Sequence, residues 1–340
     1  MSPMPSFRIG RRRIDNDKPA YILAEIGINH GGDISLAKEM IDAAAICGAD
    51  GVKFQSFKAG DLVDKHASPE YYKLFKSVEL SKADHLRLFS HCKLRDLNFL
   101  STPFDNKMVD MLLDLGVKAV KVASGDLTHH PLLRYIGSKK IPVILSTGMS
   151  YLSEVDEARR ILYESGCPSM VLLHCVSRYP AKAENLNLHG MVKLKDAFDE
   201  VVGFSDHSEG VMAAQAAVAM GAKFIEKHFT LDKTLGGPDH ALSADPGEFL
   251  ELVESIRFIE KAMGAKLKEP TSEELRDRAL GRRGCYASKN LKRGEKLTSS
   301  KVKFTRPEGT IPSSDWINIE GRKLRKTVKK GKPFDWGMLE

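Results

Sequence analysis

A strand–helix alternation repeats from residue 21 to residue 264, and it constrains the fold of this 340-residue chain more than any other feature. The predicted strands are short apolar segments at 21–26, 51–57, 99–102, 119–123, 143–146, 170–176, 201–205 and 222–228. Amphipathic helical patterns lie between and after them, at 35–47, 81–96, 106–115, 131–138, 153–165, 188–200, 209–219 and 246–263. Such an alternation predicts a (β/α)8 TIM barrel. An open doubly wound sheet is the alternative, but no GxGxxG motif follows the first strand.

The predicted helix boundaries carry capping signals. Side chains that can accept hydrogen bonds from free helix N–H groups mark five starts, at Ser35, Ser81, Asp105, Ser153 and Asp245. Glycines, which adopt the left-handed conformation easily, mark five ends, at Gly48, Gly116, Gly166, Gly221 and Gly264. Residues 7–14 are predicted to form a short lead-in strand that closes the bottom of the barrel.

The pattern changes after residue 264, which gives a predicted barrel domain at 1–264, a polar linker at 265–280 and a small β-rich domain at 281–340. Short β-like pieces are predicted at 284–288, 302–304 and 325–328, with two equivalent tight turns at 292–295 and 329–332. Residues 281–340 hold 16 Lys and Arg against 6 Asp and Glu, a net charge of +10. The basic character of the chain therefore lies in this last segment, which indicates an anionic ligand or a solvated basic face.

The composition is that of a globular enzyme or binding protein, with 42% hydrophobic and 29% charged residues. No apolar run approaches the roughly 20 residues of a membrane span, and the N-terminal segment lacks the apolar core of a signal peptide. We therefore expect a cytoplasmic location and no membrane partner. The five cysteines are scattered, which predicts free buried thiols. Nucleic acid binding is not expected, because RNP-like aromatic motifs and zinc motifs are absent.

Polar side chains gather at the C-terminal ends of the predicted strands, where the loops of a barrel converge. Taken strand by strand, they are Glu25; Lys53 and Gln55; Thr102; Lys121 and Ser124; Ser146 and Thr147; His174, Ser177 and Tyr179; Ser205 and His207; Glu226 and His228; and Asp239 in the loop that follows. A lone lysine is commonly a rim charge and a lone histidine a core residue. Two lysines, a glutamate and two histidines with inward strand parity cannot form an apolar core, because such groups are rarely buried unless paired. They predict an active site.

The residue types indicate the chemistry. Lysines beside hydroxyl groups suit a phosphate or a carboxylate. His207 and His228 suit a divalent first-row metal with open positions, whereas two imidazoles without thiolates argue against structural zinc. Glu25 is the predicted proton carrier. A metal beside a polyanion site indicates Lewis-acid activation of a carbonyl next to a phosphorylated partner.

A set of motifs in the same order resembles the sialic acid synthase family from about residue 20 to the C-terminus. These motifs are 53–55 (KFQ), 101–103 (STP), 121–126 (KVASGD), 146–149 (STGM), 174–180 (HCVSRYP), 204–207 (FSDH), 226–229 (EKHF) and 237–240 (GPDH). The resemblance implies a TIM barrel followed by a small antifreeze-like (SAF) domain. It also implies condensation of phosphoenolpyruvate with an N-acetylated mannosamine-type sugar, with release of phosphate, by a domain-swapped homodimer.

The resemblance also implies roles for the individual residues. Phosphoenolpyruvate would be held by Lys53, Thr102, Lys121, Ser124 and Ser205, with Glu25 at the reacting centre. The metal, Mn2+ or Mg2+, would bind His207 and His228. The sugar would contact Gln55, Ser177, Tyr179 and Asp239, and Arg306 of the partner's SAF domain would reach its N-acyl group. Ser177 stands where the N-acetylneuraminate branch often has Asn, so the 2,4-diacetamido-trideoxyhexoses that lead to legionaminic or pseudaminic acid stay open as substrates.

Three alternatives remain open at this level. A related barrel would condense phosphoenolpyruvate with a phosphorylated aldose, which requires a second phosphate pocket. A Schiff-base aldolase would use Lys53 or Lys121 as its nucleophile. A binding protein would use the basic C-terminal segment to hold ice, polysaccharide or nucleic acid.

Overall fold

The structure is a computed structural model that describes residues 6–264 and 267–340. The chain divides between residues 264 and 265 into two compact units. In the first unit the strands are β1 (Ser6–Ile9), β2 (Arg12–Asp15), β3 (Tyr21–Gly27), β4 (Gly51–Ser56), β5 (Asn98–Pro103), β6 (Val120–Val122), β7 (Val143–Ser146), β8 (Met170–Cys175), β9 (Val201–Asp206) and β10 (Phe224–His228). Its α-helices are α1 (Ile34–Ile46), α2 (Ala59–Leu62), α3 (Pro69–Ser77), α4 (Lys82–Leu94), α5 (Asn106–Leu115), α6 (His130–Ser138), α7 (Leu152–Glu164), α8 (His189–Ala197), α9 (Met212–Ala219) and α10 (Pro246–Ala262).

Strands β3 to β10 form one parallel sheet that is nearly closed. Its order is β5-β4-β3-β10-β9-β8-β7-β6, so the first and last of the eight strands, β3 and β10, are hydrogen-bonded neighbours. The two outer strands, β5 and β6, lie side by side. An open doubly wound sheet would not bring β3 and β10 together. The predicted (β/α)8 barrel is therefore confirmed.

All eight predicted helices are present, and two short ones, α2 and α3, were not predicted because they fall in the loop after β4. The N-cap predictions at Ser81, Asp105 and Asp245 are confirmed, since each side chain accepts a hydrogen bond from the first helical turn. Those at Ser35 and Ser153 are wrong. Asp33 caps α1, and α7 begins at Leu152, one residue before Ser153. The five predicted terminal glycines have φ between +53° and +111°.

Two layers of apolar side chains fill the barrel unit. Inward-facing residues such as Leu23, Leu100 and Ile144 fill the lower interior, and outward-facing residues pack against the helices. The predicted lead-in strand at 7–14 is instead an antiparallel hairpin of β1 and β2 with a left-handed Gly10 in its turn. Phe7, Ile9 and Ile14 of this hairpin are buried in the interior layer. Chemistry is therefore confined to the upper part of the interior, where the polar residues lie.

The second unit contains α11 (Ser272–Gly281), β11 (Gly284–Ala287), β12 (Val302–Thr305) and α12 (Trp316–Ile319), with β11 and β12 antiparallel. Both predicted tight turns are present, with Gly294 and Gly331 in the left-handed region. The predicted piece at 325–328 forms no strand; Val328 makes only an isolated bridge to Leu291. Arg325, Lys326 and Thr327 are exposed, and only Val328 reaches the apolar core of this unit.

Helix α11 lies within the segment predicted as a linker, 265–280. It begins with a capping box in which Thr271 and Glu274 bond each other's backbone. No residue of α11 is buried, so it lacks the apolar stripe by which helices are usually recognised in a sequence. Residues 265 and 266 of the same predicted linker lie outside the described residues.

The five cysteines are buried free thiols, as predicted. Across the part of the chain that is described, no helix is long and apolar enough to cross a membrane.

Candidate active site

A layer of charged side chains lies directly above the apolar interior of the barrel. Strand alternation places Glu25, Lys53, Lys121 and Glu226 inward from β3, β4, β6 and β10, and each is at least 95% buried. We call these four residues the charged quartet. Lys53 Nζ lies 2.9 Å from Glu25 Oε2 and 3.5 Å from Glu226 Oε2. Lys121 Nζ lies 3.8 Å from Glu226 Oε1. The quartet satisfies the rule that buried charges require partners.

Burial and neighbouring charge act in opposite directions on the two carboxyl groups. Burial raises the pKa of Glu25 to about 7, although the Lys53 ammonium group opposes the shift. Burial would also raise the pKa of Glu226, but Lys121 and Lys53 outweigh it and lower this pKa to about 2. The quartet therefore holds one carboxyl group that can exchange a proton near neutral pH and one that stays ionised. This is the behaviour required of a proton carrier beside a fixed anion.

Hydroxyl groups surround the quartet. Thr102 Oγ1 accepts from Lys53 Nζ at 3.3 Å, Ser146 Oγ accepts from Lys121 Nζ at 2.6 Å, and Ser205 Oγ donates to Glu226 at 2.8 Å. These bonds leave the ammonium groups oriented into the barrel. Donors of this kind, buried inside the barrel, suit the oxygens of a small anion.

A second hydroxyl cluster lies at the ends of β6, β7 and β8. Gly148 N donates to Ser124 Oγ at 3.0 Å. A Cβ atom at Gly148 would lie 2.3 Å from Ser177 Oγ and 3.0 Å from Cys175 Sγ, so a larger residue would displace these side chains. The next residue, Met149, has a left-handed φ of +61° and an exposed side chain at the cavity.

The two predicted metal ligands face each other above the quartet. The ring centroids of His207 and His228 are 5.5 Å apart, and Tyr179 OH lies 3.1 Å from His207 Nε2. His207 Nδ1 donates to the carbonyl oxygen of Val176 at 2.8 Å, which leaves its Nε2 with a lone pair. His228 Nδ1 is buried without a hydrogen-bond partner, and Asp239 Oδ2 lies 3.9 Å away.

These donors fit a divalent cation that keeps open positions. A buried nitrogen without a partner is costly unless a ligand completes it. Burial lowers the pKa of His228 well below its ordinary value, and the neighbouring His207 adds to this, so the ring stays neutral as a metal ligand requires. Within residues 6–264 and 267–340, no group of three or more His, Cys, Asp and Glu side chains is arranged as a complete metal site.

One cavity of about 330 Å3 at the C-terminal ends of the strands joins these groups. Of the thirteen predicted site residues, twelve line it, namely Glu25, Lys53, Gln55, Thr102, Lys121, Ser124, Ser177, Tyr179, Ser205, His207, His228 and Asp239. The thirteenth, Arg306, belongs to the second unit, where it directly follows β12 and has an exposed side chain.

His174 was predicted to lie at the barrel mouth, and this is wrong. Leu173 and Cys175 have the inward parity of β8, so His174 faces the helices and its ring Nε2 bonds the carbonyl oxygen of Leu186 at 2.8 Å. Cys175 lines the cavity in its place. The cavity is also lined by Phe104 and Met149, which could not be predicted because apolar residues after strands carry no specific signal.

A TIM barrel whose mouth combines buried lysines, hydroxyl donors and a histidine pair has the layout of an enzyme active site. Two family profiles match the chain: the NeuB family over residues 40–268 and the SAF domain over residues 282–340. The protein belongs to the NeuB family and is a sialic acid synthase-like enzyme with a C-terminal SAF domain.

Named relatives agree along nearly the whole chain. N,N'-diacetyllegionaminic acid synthase of Legionella pneumophila is 41% identical over 97% of this chain and 99% of its own length. Human N-acetylneuraminate-9-phosphate synthase is 34% identical over 94% of this chain and 92% of its own. Among solved structures, the N-acetylneuraminic acid (sialic acid) synthetase of Leptospira borgpetersenii, in complex with citrate, superposes with a TM-score of 0.77. It is 37% identical and covers 81% of this chain and 95% of that one.

Proposed function

We propose that this enzyme condenses phosphoenolpyruvate with an N-acylated mannosamine-type sugar to form a nine-carbon sugar acid and phosphate, with the help of Mn2+ or Mg2+. The observation that carries the proposal is the single cavity in which the charged quartet lies beneath the histidine pair. One end offers cations and hydroxyls to an anion, and the other offers imidazoles to a metal. The names of the relatives support the same reaction class.

Phosphoenolpyruvate would bind at the quartet end of the cavity. Lys53 and Lys121 would donate to its oxygens, helped by the hydroxyl groups of Thr102, Ser124 and Ser205. The internal ion pairs leave each ammonium group with little freedom to move, so the cations are preorganised for an anion that displaces water. Glu25, with its pKa raised to about 7 by burial, would hold or release a proton beside Lys53.

His207 and His228 would hold the divalent ion. A bound ion would polarise the aldehyde oxygen of the open-chain sugar. Tyr179, which bonds His207, and Asp239, which faces His228, would orient the sugar together with Gln55.

The reaction itself requires three bond changes. C3 of phosphoenolpyruvate forms a bond to the aldehyde carbon of the sugar, whose oxygen takes up a proton. A water oxygen adds to C2 and loses a proton. The bond from C2 to the phosphate oxygen then breaks, phosphate leaves with the electron pair and takes up a proton, and the C2 hydroxyl loses its proton to become the ketone.

The sugar is proposed to be a 2,4-diacetamido-trideoxyhexose in preference to N-acetylmannosamine. The relative from Legionella pneumophila is named for the diacetyl product and is 41% identical, against 34% for the human relative named for the N-acetylneuraminate 9-phosphate product. Ser177 in place of the Asn of the N-acetylneuraminate branch also supports this preference.

The active form is proposed to be a homodimer in the cytoplasm, in which the partner's Arg306 reaches the N-acyl group of the sugar. The basic charge of residues 281–340 supports this arrangement, because it suits a cover for an anionic site. The proposed dimer predicts that an Arg306 variant, assayed at a sugar concentration below its raised KM, and an inactive Lys53 variant show more activity when mixed than apart, since a mixed dimer contains one intact site.

The test is phosphate release from phosphoenolpyruvate with Mn2+, across N-acetylmannosamine, the two 2,4-diacetamido-trideoxyhexoses, arabinose 5-phosphate and erythrose 4-phosphate, each with and without EDTA. We expect release with a diacetamido sugar that EDTA abolishes. His228→Ala should remove it, whereas His66→Ala, at an exposed histidine, should not. Release only with a phosphorylated aldose would assign the chain to the alternative synthases. Condensation of pyruvate with the sugar in the presence of EDTA, with a borohydride-trapped lysine and no phosphate release from phosphoenolpyruvate, would favour the Schiff-base aldolase.

A further inference from the structure

Lys227 lies in an unusual place for a lysine. It stands between Glu226 and His228 on β10, both of which line the cavity. Strand alternation turns its side chain to the opposite face, towards the apolar layer between the barrel and the helices. Only 1% of Lys227 is exposed, and burial at such a site is rare for lysine unless the charge is paired.

The partner of Lys227 is Asp206, the residue opposite it on β9. Lys227 Nζ donates to Asp206 Oδ2 at 2.9 Å and to the carbonyl oxygen of Ser208. The other carboxylate oxygen, Asp206 Oδ1, accepts from Ser208 N at 2.8 Å and from Ser208 Oγ at 2.7 Å. Asp206 is fully buried, so this ion pair is closed off from water and hydrogen-bonded at both ends.

These bonds hold the backbone on both sides of His207. Asp206 precedes it and Ser208 follows it, and both are tied to the same ammonium group. His228 directly follows Lys227 along β10. A single ion pair therefore links the strand ends that carry the two facing imidazoles.

Stability alone does not account for an ion pair at this position. Taking two charges out of water costs about as much as their attraction returns, and well-packed neutral residues commonly replace a buried pair without loss. The surrounding layer is apolar and would accept such residues. The pair does what an apolar contact cannot, because its directional bonds fix the register of the two strand ends.

We propose that Lys227 and Asp206 are positioning residues for the two-histidine site: they set the separation of His207 and His228 and so the affinity for the divalent ion. This inference rests on the proposed metal site. Neither side chain lines the cavity, so both act through the backbone and neither touches the ion or the substrate.

The experiment measures Mn2+ binding by the full-length protein without substrates, by electron paramagnetic resonance of the free ion, together with the thermal midpoint. The main variant is the double Lys227→Met/Asp206→Asn, which removes both charges and keeps a side-chain oxygen that accepts from Ser208. We expect a thermal midpoint close to that of the wild type and a Kd for Mn2+ roughly 10-fold to 100-fold weaker, as for other residues that orient metal ligands. The control is Lys223→Met, one residue before the start of β10, which should change neither the thermal midpoint nor the Kd for Mn2+.

A double variant that binds Mn2+ within twofold of the wild type would overturn the proposal and leave the pair a purely structural role. If the double variant does not fold, Ser208→Ala decides the question, because it removes only one bond of the network. It should then weaken Mn2+ binding by about threefold, and unchanged binding would overturn the proposal. A wild type whose Mn2+ binding is absent, or is insensitive to His228→Ala, would overturn the metal assignment itself and this inference with it.

Discussion

Replacing Lys53 with methionine tests whether the charged quartet is held together by charge. Lys53 lies 2.9 Å from Glu25 and 3.5 Å from Glu226. At an effective dielectric constant of about 20 each contact corresponds to roughly 5–6 kcal/mol of attraction, most of which offsets the cost of burying the charges. Removing one partner leaves that cost uncompensated. We expect Lys53→Met to lower the free energy of unfolding by about 3–5 kcal/mol.

The assay is urea unfolding at pH 8 followed by far-UV circular dichroism. Tryptophan fluorescence would report on the wrong unit, because both tryptophans, Trp316 and Trp336, lie in the second one. The matched control is Lys58→Met, since Lys58 is half-exposed and its Nζ lies 3.9 Å from Glu79. A surface pair of this kind contributes less than about 1 kcal/mol.

A second variant separates charge from packing. In Lys53→Met/Glu25→Gln the neutral amide no longer needs a cation, and Glu226 keeps Lys121 and Ser205. This variant should recover about 1–3 kcal/mol of the loss while remaining inactive, because the proposed anion site has lost Lys53. If Lys53→Met costs no more than Lys58→Met, or if the second change recovers nothing, the charged quartet is not held together by charge.

Three further predictions concern other parts of the molecule. Phe7→Ala should lower the free energy of unfolding, measured in urea, by about 3–5 kcal/mol, because Phe7 fills the bottom of the barrel. Arg8→Ala, at an exposed residue, should change it by no more than about 0.5 kcal/mol. Equal losses would contradict the role of the hairpin. The Arg95 guanidinium lowers the pKa of Asp42 to about 2, so this carboxylate contributes above pH 4 and its contribution is lost as the pH falls towards 2. Because the Asp42 side chain is about one-third exposed, its ion pair contributes at most about 1 kcal/mol to the free energy of unfolding. Asp42→Asn should therefore reduce the difference between the urea midpoints at pH 5 and pH 3. Arg306→Ala should raise the KM for the acylated sugar about tenfold or more, and that for phosphoenolpyruvate much less; the reverse pattern in steady-state kinetics would place Arg306 at the phosphate.

The barrel could be predicted from the sequence because its strands and helices alternate regularly along the chain. Each inward residue of the charged quartet also follows from parity, once the strand ends are known. The prediction for His174 was wrong, because the alternation along β8 points Leu173 and Cys175 into the barrel and His174 towards the helices. The strand there was predicted without a fixed inward face, and the chemistry of histidine was weighed above the alternation that selects Cys175.

Other features could not be predicted, because their signals are not periodic. Helices α2 and α3 are short and bury almost nothing, and α11 buries nothing. The hairpin at the bottom of the barrel read as one strand, because its apolar residues Phe7, Ile9 and Ile14 are separated by arginines that face away from the core. In the second unit the two tight turns were predicted correctly, because Gly294 and Gly331 have positive φ. The strand at 325–328 was wrong, because Val328 forms only an isolated bridge.

The alternation of β10 explains how one strand serves both the cavity and the scaffold behind it. Glu226 and His228 face the cavity, so the residue between them must face the apolar layer, and a hydrophobic residue would be expected there. The chain instead places Lys227 at that position and matches it with Asp206, the residue that precedes His207 on the neighbouring strand. The charge pair joins the two outward residues adjacent to the histidines, and this is the location required of a device that fixes the imidazoles. A pair needed only for stability would have no reason to lie at these two strand ends.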